Sequence, residues 1–222
     1  MNKEHKKVLV IDVGGTHIKA HATHSGAVVK IPSGPTMTAA RMVAAVKQIA
    51  ANWDYDVVSI GYPGPVKDDQ PTLEPHNLGK GWVRFDYKKA FGKPVKIIND
   101  AAMQALGGHT GGRMLFLGLG TGLGSAMVAD GALLPLELAH MPYRKNRTYE
   151  EYVGNAALQR MGKSKWRKHV NEVIEILKQG LLADYVVLGG GNVRLMKKFP
   201  PDVLPGKNSN AMRGGLKLWN HS

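Results

Sequence analysis

Several segments of this 222-residue chain carry residue types and spacings suited to phosphate and hydroxyl chemistry. In DVGGTHIK (12–19), Gly14 and Gly15 permit a sharp turn that exposes successive backbone N–H groups, a concavity that suits phosphate oxygens. Thr16 adds a hydroxyl and Lys19 a positive charge, while Asp12, at the end of an apolar run, can hold magnesium through water. An ordinary hairpin turn beside an acidic strand end accounts for the same residues. GLGTGLGS (118–125) places four glycines at alternate positions after another apolar run. Alternating glycines weaken a strand unless a ligand or another backbone comes close. Gly120, Thr121 and Gly122 are therefore read as a second phosphate loop, with a flexible hairpin as the alternative. GGGN (189–192), through Gly190, either brackets the far end of a phosphoryl donor or starts a helix. Neither a Walker A loop nor a GxGxxG fingerprint occurs in the chain.

In IINDAAMQA (97–105), apolar residues lead up to Asn99 and Asp100, and a helix begins immediately afterwards. A carboxylate at the carboxyl end of a buried strand faces a cleft in α/β proteins. There it can take a proton from a hydroxyl as general base. Taken alone, helix capping is the commoner role for an aspartate so placed. GYPGPV (61–66), HNLGKGW (76–82), ELAH (137–140) and TYEEYVG (148–154) hold carboxylates, amides and an imidazole, the groups that pair with sugar hydroxyls. By themselves Glu150 and Glu151 read as a solvated helix start.

Strands and helices must hold these segments in place. KVLVIDV (7–13), HIKAHATH (17–24) and AVVKI (27–31) predict a meander of three strands. A helix is expected over 38–53 with Thr36 or Thr38 as cap, then a buried strand at VVSIG (57–61). A Pro- and Gly-rich loop of about twenty residues follows, a length that is usually functional inside a compact domain. PVKIIN (94–99) reads as a strand leading into a helix at Asp100. The second half predicts strands at 113–120, 124–130 and 132–138 and helices over 149–161 and 164–182. In the latter, Trp166, Val170, Val173, Leu177 and Leu181 step at helical spacing. YVVLGG (185–190) is a last strand and NAMRGGLKLW (210–219) a terminal helix. Each half opens on a strand–glycine turn–strand unit and later supplies a helix and a buried strand, a weak structural repeat. The prediction is an α/β fold of two similar lobes with a cleft between them. Residues 1–98 form the first lobe, 99–207 the second, and 208–222 a helix packing back on the first.

Composition narrows the class. There is no cysteine, which excludes disulfides, thiolate zinc sites, iron–sulfur clusters and cysteine catalysis. Lys and Arg number 30 against 17 Asp and Glu, a net charge of +13 that points to an anionic partner. The 27 glycines fit tight turns and close backbone approaches. The longest uncharged stretch, 114–129, is broken by glycines and too short for a membrane span, and the amino terminus lacks an export signal. A soluble, cytoplasmic protein with no membrane partner is expected.

The order DVGGTHIK, GYPGPV, NLGKGW, INDA, GLGTGLGS, ELAH, GGGN resembles the ROK family of sugar kinases, from about Val8 to Gly215. The resemblance implies the two-lobed actin/hexokinase-like (ribonuclease-H-like) fold. GTGLGSA and the absence of cysteine look most like the polyphosphate glucokinases of that family. On this resemblance Asp100 matches the base that deprotonates the sugar 6-hydroxyl. Asn99, Glu137 and His140 match sugar ligands, Gly64 a backbone contact to the sugar, and Glu150 the glutamate of a CLE-type segment that also holds it. Asp12, Gly14, Gly15, Thr16 and Lys19 match the first phosphate motif, and Gly120, Thr121 and Gly122 the second.

Departures from the family pattern carry their own expectations. Many ROK kinases hold zinc with three cysteines and the histidine of an ExGH motif; here ELAH and the lack of cysteine imply no zinc site, leaving His140 to meet the sugar. The other eight histidines are read as surface residues. Only eleven residues precede Asp12, so the DNA-binding module of ROK repressors is not expected. The implied function is a glucokinase of glycolysis, using Mg2+ and transferring a phosphoryl group from polyphosphate, ATP or both to glucose, with a homodimer implied by the family. An ATP-dependent kinase for another hexose or an acylamino sugar is the nearest alternative. A non-catalytic nucleic-acid-binding protein, using KKAFGK (88–93), YRKNR (143–147) and KSKWRKH (163–169), is the alternative of another class. The intact INDA and GLGTGLGS motifs count against it.

Overall fold

Every residue of Val8–Val13 (β1) and Val57–Tyr62 (β4) is buried, the mark of strands covered on both faces of a sheet. The structure, a computed structural model, describes residues 6–207 and 209–219. β1 runs antiparallel to His17–Ala22 (β2), which pairs with Val29–Pro32 (β3). The third strand thus starts two residues later than AVVKI predicts. Thr38 caps Ala39–Ile49 (α1) by accepting a hydrogen bond from the Arg41 backbone N–H, and Ala39, Met42, Val43 and Val46 bury the apolar face.

The segment expected as an open loop contains a small hairpin, Val66–Lys67 (β5) with Gln70–Pro71 (β6), and is followed by a short helix, Tyr87–Phe91 (α2). Asp86 caps that helix and Gly92, at φ 67°, ends it in the left-handed conformation that glycine adopts without strain. Val95–Asn99 (β7) then pairs parallel to β4 and runs directly into Asp100–Gly108 (α3). The sheet order is β3-β2-β1-β4-β7.

A second sheet repeats this plan. Met114–Leu119 (β8), Leu123–Ala129 (β9) and Ala132–Leu136 (β10) form the antiparallel meander. Between them and the next sheet strand lie the hairpin Pro142–Arg144 (β11) with Arg147–Thr148 (β12), then Glu150–Val153 (α4) and Asn155–Gly180 (α5). Tyr185–Gly189 (β13) and Val203–Pro205 (β14) continue the sheet in parallel, giving β10-β9-β8-β13-β14. Strand order and sense match the first sheet, so the repeat read from glycine turns is a repeat of topology. The gap between the predicted helices over 149–161 and 164–182 falls where α5 is interrupted, at Gly162 (φ 75°, ψ 162°), whereas the first of the two is divided again because α4 stops at Val153. Beyond that break Trp166, Val170, Val173 and Leu177 are buried as their spacing predicts, whereas Leu181 caps the helix end and is only partly buried.

The chain divides into two compact units, Met1–Met103 with Ala211–Ser222 and Gln104–Asn210. The division falls inside α3 rather than before Asn99, because β7 hydrogen-bonds to β4 and Met103 packs with Val8, Val10, Val57, Ala211 and Met212. Of the predicted terminal segment 208–222, Asn208 and residues 220–222 lie outside the described residues. Asn210–Lys217 (α6) belongs, from Ala211 onward, to the first unit. There the fully buried Ser59 hydroxyl donates to the Gly215 carbonyl at 2.7 Å and accepts from Trp219 Nε1 at 2.9 Å. Gly215 has no room for a side chain, since a Cβ would lie 2.3 Å from a Val10 methyl. Among the described residues no helix is long and apolar enough to cross a membrane.

Ser59→Ala removes one hydroxyl that serves two partners. It is expected to destabilise the protein by about 1–3 kcal/mol, the usual cost of leaving buried polar groups unmatched. Urea denaturation followed by circular dichroism checks this; an unchanged midpoint would mean that α6 is not anchored through Ser59.

Candidate functional site

In the first unit the turn after β1 is set by its own backbone. Gly14 N–H donates to the His17 carbonyl at 3.1 Å, and a Cβ on Gly14 would lie 2.7 Å from that oxygen, so the turn admits only glycine there. Ser33 Oγ donates to the Gly14 carbonyl at 2.6 Å and Ser33 N–H to the Thr16 carbonyl at 3.0 Å, which pins the turn from β3. Thr16 is exposed. Asn77, from HNLGKGW, crowds Gly15: a Cβ there would be 3.3 Å from its Cβ. The hairpin register sets Asp12 opposite Lys19, and Lys19 Nζ lies 3.0 Å from Asp12 Oδ2. The positive charge read from sequence as facing a ligand is thus shared with the carboxylate read as a metal anchor.

Asn99 and Asp100 sit where β7 becomes α3. Asn99 Oδ1 accepts from the Ala102 backbone N–H at 3.1 Å, the bond of a helix cap, and its Nδ2 donates to the Gly64 carbonyl at 3.2 Å. Asp100 Oδ1 accepts from the adjacent Ala101 N–H at 2.7 Å. Capping, the commoner role for Asp100 by type, therefore falls to its neighbour. The Pro63–Gly64 turn is tight as well, with Gly64 N–H donating to the Tyr62 carbonyl at 2.9 Å. The long segment beyond it is fastened by residues that sequence reasoning passed over. Tyr62 OH donates to the Leu73 carbonyl, the Glu74 carboxylate accepts from the backbone N–H of Trp82 and of Val83, and Tyr62 packs on the Trp82 ring. The signal for this was a glutamate and a tryptophan inside an otherwise Pro- and Gly-rich stretch.

The second unit brings together Gly120, Thr121, Gly122, Gly190 and Glu150. Gly120 N–H donates to the Gly122 carbonyl at 3.2 Å, closing the turn between β8 and β9. Glu150 Oε2 accepts from Leu123 N–H at 3.3 Å, and a Cβ on Gly122 would fall 2.0 Å from that oxygen. Gly190 adopts φ 87° and lies so near Leu119 that a Cβ would be 2.3 Å from its carbonyl oxygen. Asn192 Nδ2 donates to the Gly120 carbonyl at 3.3 Å, so GGGN is tied to the turn. Glu137 and His140 are exposed at either end of the short turn Leu138–His140. Ser125, buried and overlooked, holds that turn by donating to the Leu136 carbonyl and accepting from Leu138 N–H.

An aromatic cluster buttresses α4 and hence Glu150. Tyr143 stacks on Tyr149 and meets Tyr152 edge-on, and its hydroxyl lies 3.2 Å from His169 Nδ1. Burial, with the neighbouring Glu172 carboxylate, pushes the Tyr143 hydroxyl up to about 12. Burial and then the Arg144 guanidinium hold His169 below its ordinary value, outweighing Glu172. His169, His21 and His109 are half-buried at the surface rather than freely exposed; His17, His24 and His76 are exposed as predicted, and His5 and His221 lie outside the described residues. Among the described residues no three His, Asp or Glu side chains cluster as a protein-built metal site would.

The ROK family model matches residues 8–135 of this chain. The chain is 27% identical to the polyphosphate glucokinase of Mycobacterium tuberculosis over 86% of its own length and 80% of that protein's. In structure it superposes on the inorganic polyphosphate/ATP-glucomannokinase of Arthrobacter sp. strain KM with a TM-score of 0.81, 22% identity, and coverage of 96% of this chain and 98% of that one. The ROK family glucokinase of Streptomyces griseus, solved with glucose and AMPPNP, gives 0.73 at 18% identity and covers 97% of this chain and 100% of that one. The fold is the actin/hexokinase-like α/β fold that the sequence predicts.

The His169 environment favours the neutral imidazole, so the unfolded chain binds its proton first as pH falls. Stability is then lost from the ordinary value of 6.5 downward, toward the lower pKa of the fold. His169→Gln is expected to show a shallower fall in Tm between about pH 7 and 5 than the wild type. Parallel Tm profiles would show that the cluster does not discriminate between protonation states.

Proposed function

This chain belongs to the ROK family, and from that premise we propose that it is a sugar kinase that transfers a phosphoryl group from polyphosphate or ATP to the 6-hydroxyl of glucose. The observation that carries the reading is the junction at the end of β7, where Asn99 caps α3 and is bonded to the Gly64 carbonyl and the Asp100 carboxylate stands on the next residue. Likeness to polyphosphate glucokinase over most of the chain supports the donor and the sugar.

In this reading the Asp100 carboxylate takes the proton as the sugar oxygen attacks the terminal phosphorus, while the bond to the leaving phosphate breaks in line. Asn99, fixed by its bonds to Gly64 and Ala102, offers the sugar its remaining amide proton and lone pair. Gly64, Glu137, His140 and Glu150 are assigned to sugar hydroxyls. The Gly14 and Gly120 N–H groups close their own turns, so the backbone N–H groups assigned to phosphate oxygens are those of Gly15 and Thr16 in the first turn and of Thr121 and Gly122 in the second, with Gly190 beside the second turn. Their dipoles are fixed before the charge develops, which is what makes such donors effective. Asp12 suits magnesium held through water, because that ion commonly uses one or two carboxylates and takes its other ligands from water and phosphate. When bound, magnesium would neutralise charge on the phosphates.

Formation of glucose 6-phosphate, followed by coupled reduction of a nicotinamide cofactor, tests the reading with each donor. Asp100→Asn keeps the oxygen that accepts from Ala101 N–H and removes the basic carboxylate. Turnover is expected to fall by roughly 10²–10⁴ with sugar affinity and Tm little changed. A variant with wild-type turnover would leave Asp100 a purely structural residue.

A further inference from the structure

The chain carries far more cationic charge than it neutralises internally, and the structure gathers part of that excess beside the second phosphate turn. Asn192 bonds to the Gly120 carbonyl, and the short turn Gly191–Leu195 that follows exposes Arg194. Leu195 at its end accepts a 2.6 Å hydrogen bond from Arg167 Nε on α5. Lys163, one helical turn before Arg167, shares its side of α5. Lys197 and Lys198 follow Leu195 and are exposed, as is Lys163. One unit thus joins Arg194, Arg167, Lys163, Lys197 and Lys198 into a strip that begins at Gly120–Gly122.

The strip has no internal counter-charge. Residues 152–171 and 185–201 contain no Asp or Glu. Among the described residues none of its five cations forms an ion pair, whereas Arg144 pairs with Glu172, Lys178 with Asp202 and Lys19 with Asp12. Two of the three basic clusters named from sequence therefore differ: Arg144 of YRKNR is neutralised, while Lys163 and Arg167 of KSKWRKH join the segment after GGGN.

We propose that this strip binds the trailing phosphates of a long inorganic polyphosphate whose terminal phosphoryl group lies at Gly120–Gly122. The inference deepens the donor assignment above and rests on it. A nucleoside triphosphate confines its charge to three phosphates and leaves the outer lysines without a counter-charge. A continuous chain of charged phosphates engages all of them and releases counterions at each contact. Single-stranded nucleic acid fits less well, because such surfaces pair cations with several stacking aromatics. Here Trp166 is buried and Phe199 is the exposed aromatic of these segments.

The test compares the wild type with Lys163→Gln/Lys197→Gln/Lys198→Gln, leaving Arg167 in place because it holds Leu195. kcat/KM is measured with long-chain polyphosphate, tripolyphosphate and ATP over a range of added salt, and Tm is recorded for both proteins. The triple variant is expected to lose tenfold or more with long-chain polyphosphate and less than twofold with the two short donors. Its log–log salt slope for the long donor should be shallower by about 2, from three lost contacts at ~0.7 each. Equal losses with all donors, or no loss with the long one, would overturn the strip while the kinase reading stands. Unchanged use of long polyphosphate with lost binding of a single-stranded oligonucleotide would overturn it in favour of nucleic acid. A wild type active with ATP and inactive with every polyphosphate would overturn the donor assignment and the strip together. The single variant Lys198→Gln repeats the comparison if the triple variant is unstable.

Discussion

The hydrogen bonds of Asn99 fix where β7 stops, how α3 starts and how the Pro63–Gly64 turn lies against both. An amide is suited to this because it donates and accepts at once, where a carboxylate could only accept. Asp100 sits one residue along with its orientation restrained by Ala101 N–H. Strand end, turn and helix start are therefore not three independent pieces. The rest of the first unit serves this junction: β4 aligns β7, Tyr62 and Trp82 stiffen the segment beyond Gly64, and Glu74 ties that segment to itself.

Much of this was legible in the sequence because local rules and global topology agree. Apolar runs mark β1, β4, β7, β8 and β13, and glycines mark the turns at 14–15 and 120–122. Thr38 marks the start of α1, and spacing marks the buried face of α5. What stayed hidden depends on register and on contacts distant in sequence. The Asp12–Lys19 pair exists because a hairpin turning at 14–17 puts those two residues opposite one another, a consequence of register that residue types alone do not reveal. Glu150 reaches Leu123 N–H across 27 residues, and Arg167 reaches Leu195 across 28, distances over which no periodicity speaks. The packing of His169 stayed hidden because a lone histidine in a basic helical segment carries no sign of the tyrosines that fold over it.

The two sheets share order and sense while their glycine turns differ electrostatically. In the first, the nearby carboxylate comes from the strand itself and is balanced by Lys19. In the second, it comes from α4 and takes up the Leu123 N–H, and among the described residues no cation pairs with it. Repeated topology places a turn, and the surrounding side chains decide what charge it presents. The absence of any Cβ at Gly122 is what allows Glu150 to approach so closely.

The second unit is nested within the first along the chain, since Gln104–Asn210 interrupts Met1–Met103 and Ala211–Ser222. The hydrogen bond from Ser59 to Gly215 spans 156 residues of sequence. During synthesis the apolar side chains of Val8, Val10 and Met103 emerge long before Ala211 and Met212, the residues that cover them. At ribosomal rates of about 5–20 residues per second, the delay is on the order of ten seconds. Over that interval the second unit can complete its own core while the first still exposes an apolar face. The nascent chain is then exposed to aggregation and chaperone capture at β1, a strand that in the finished protein is buried along its whole length.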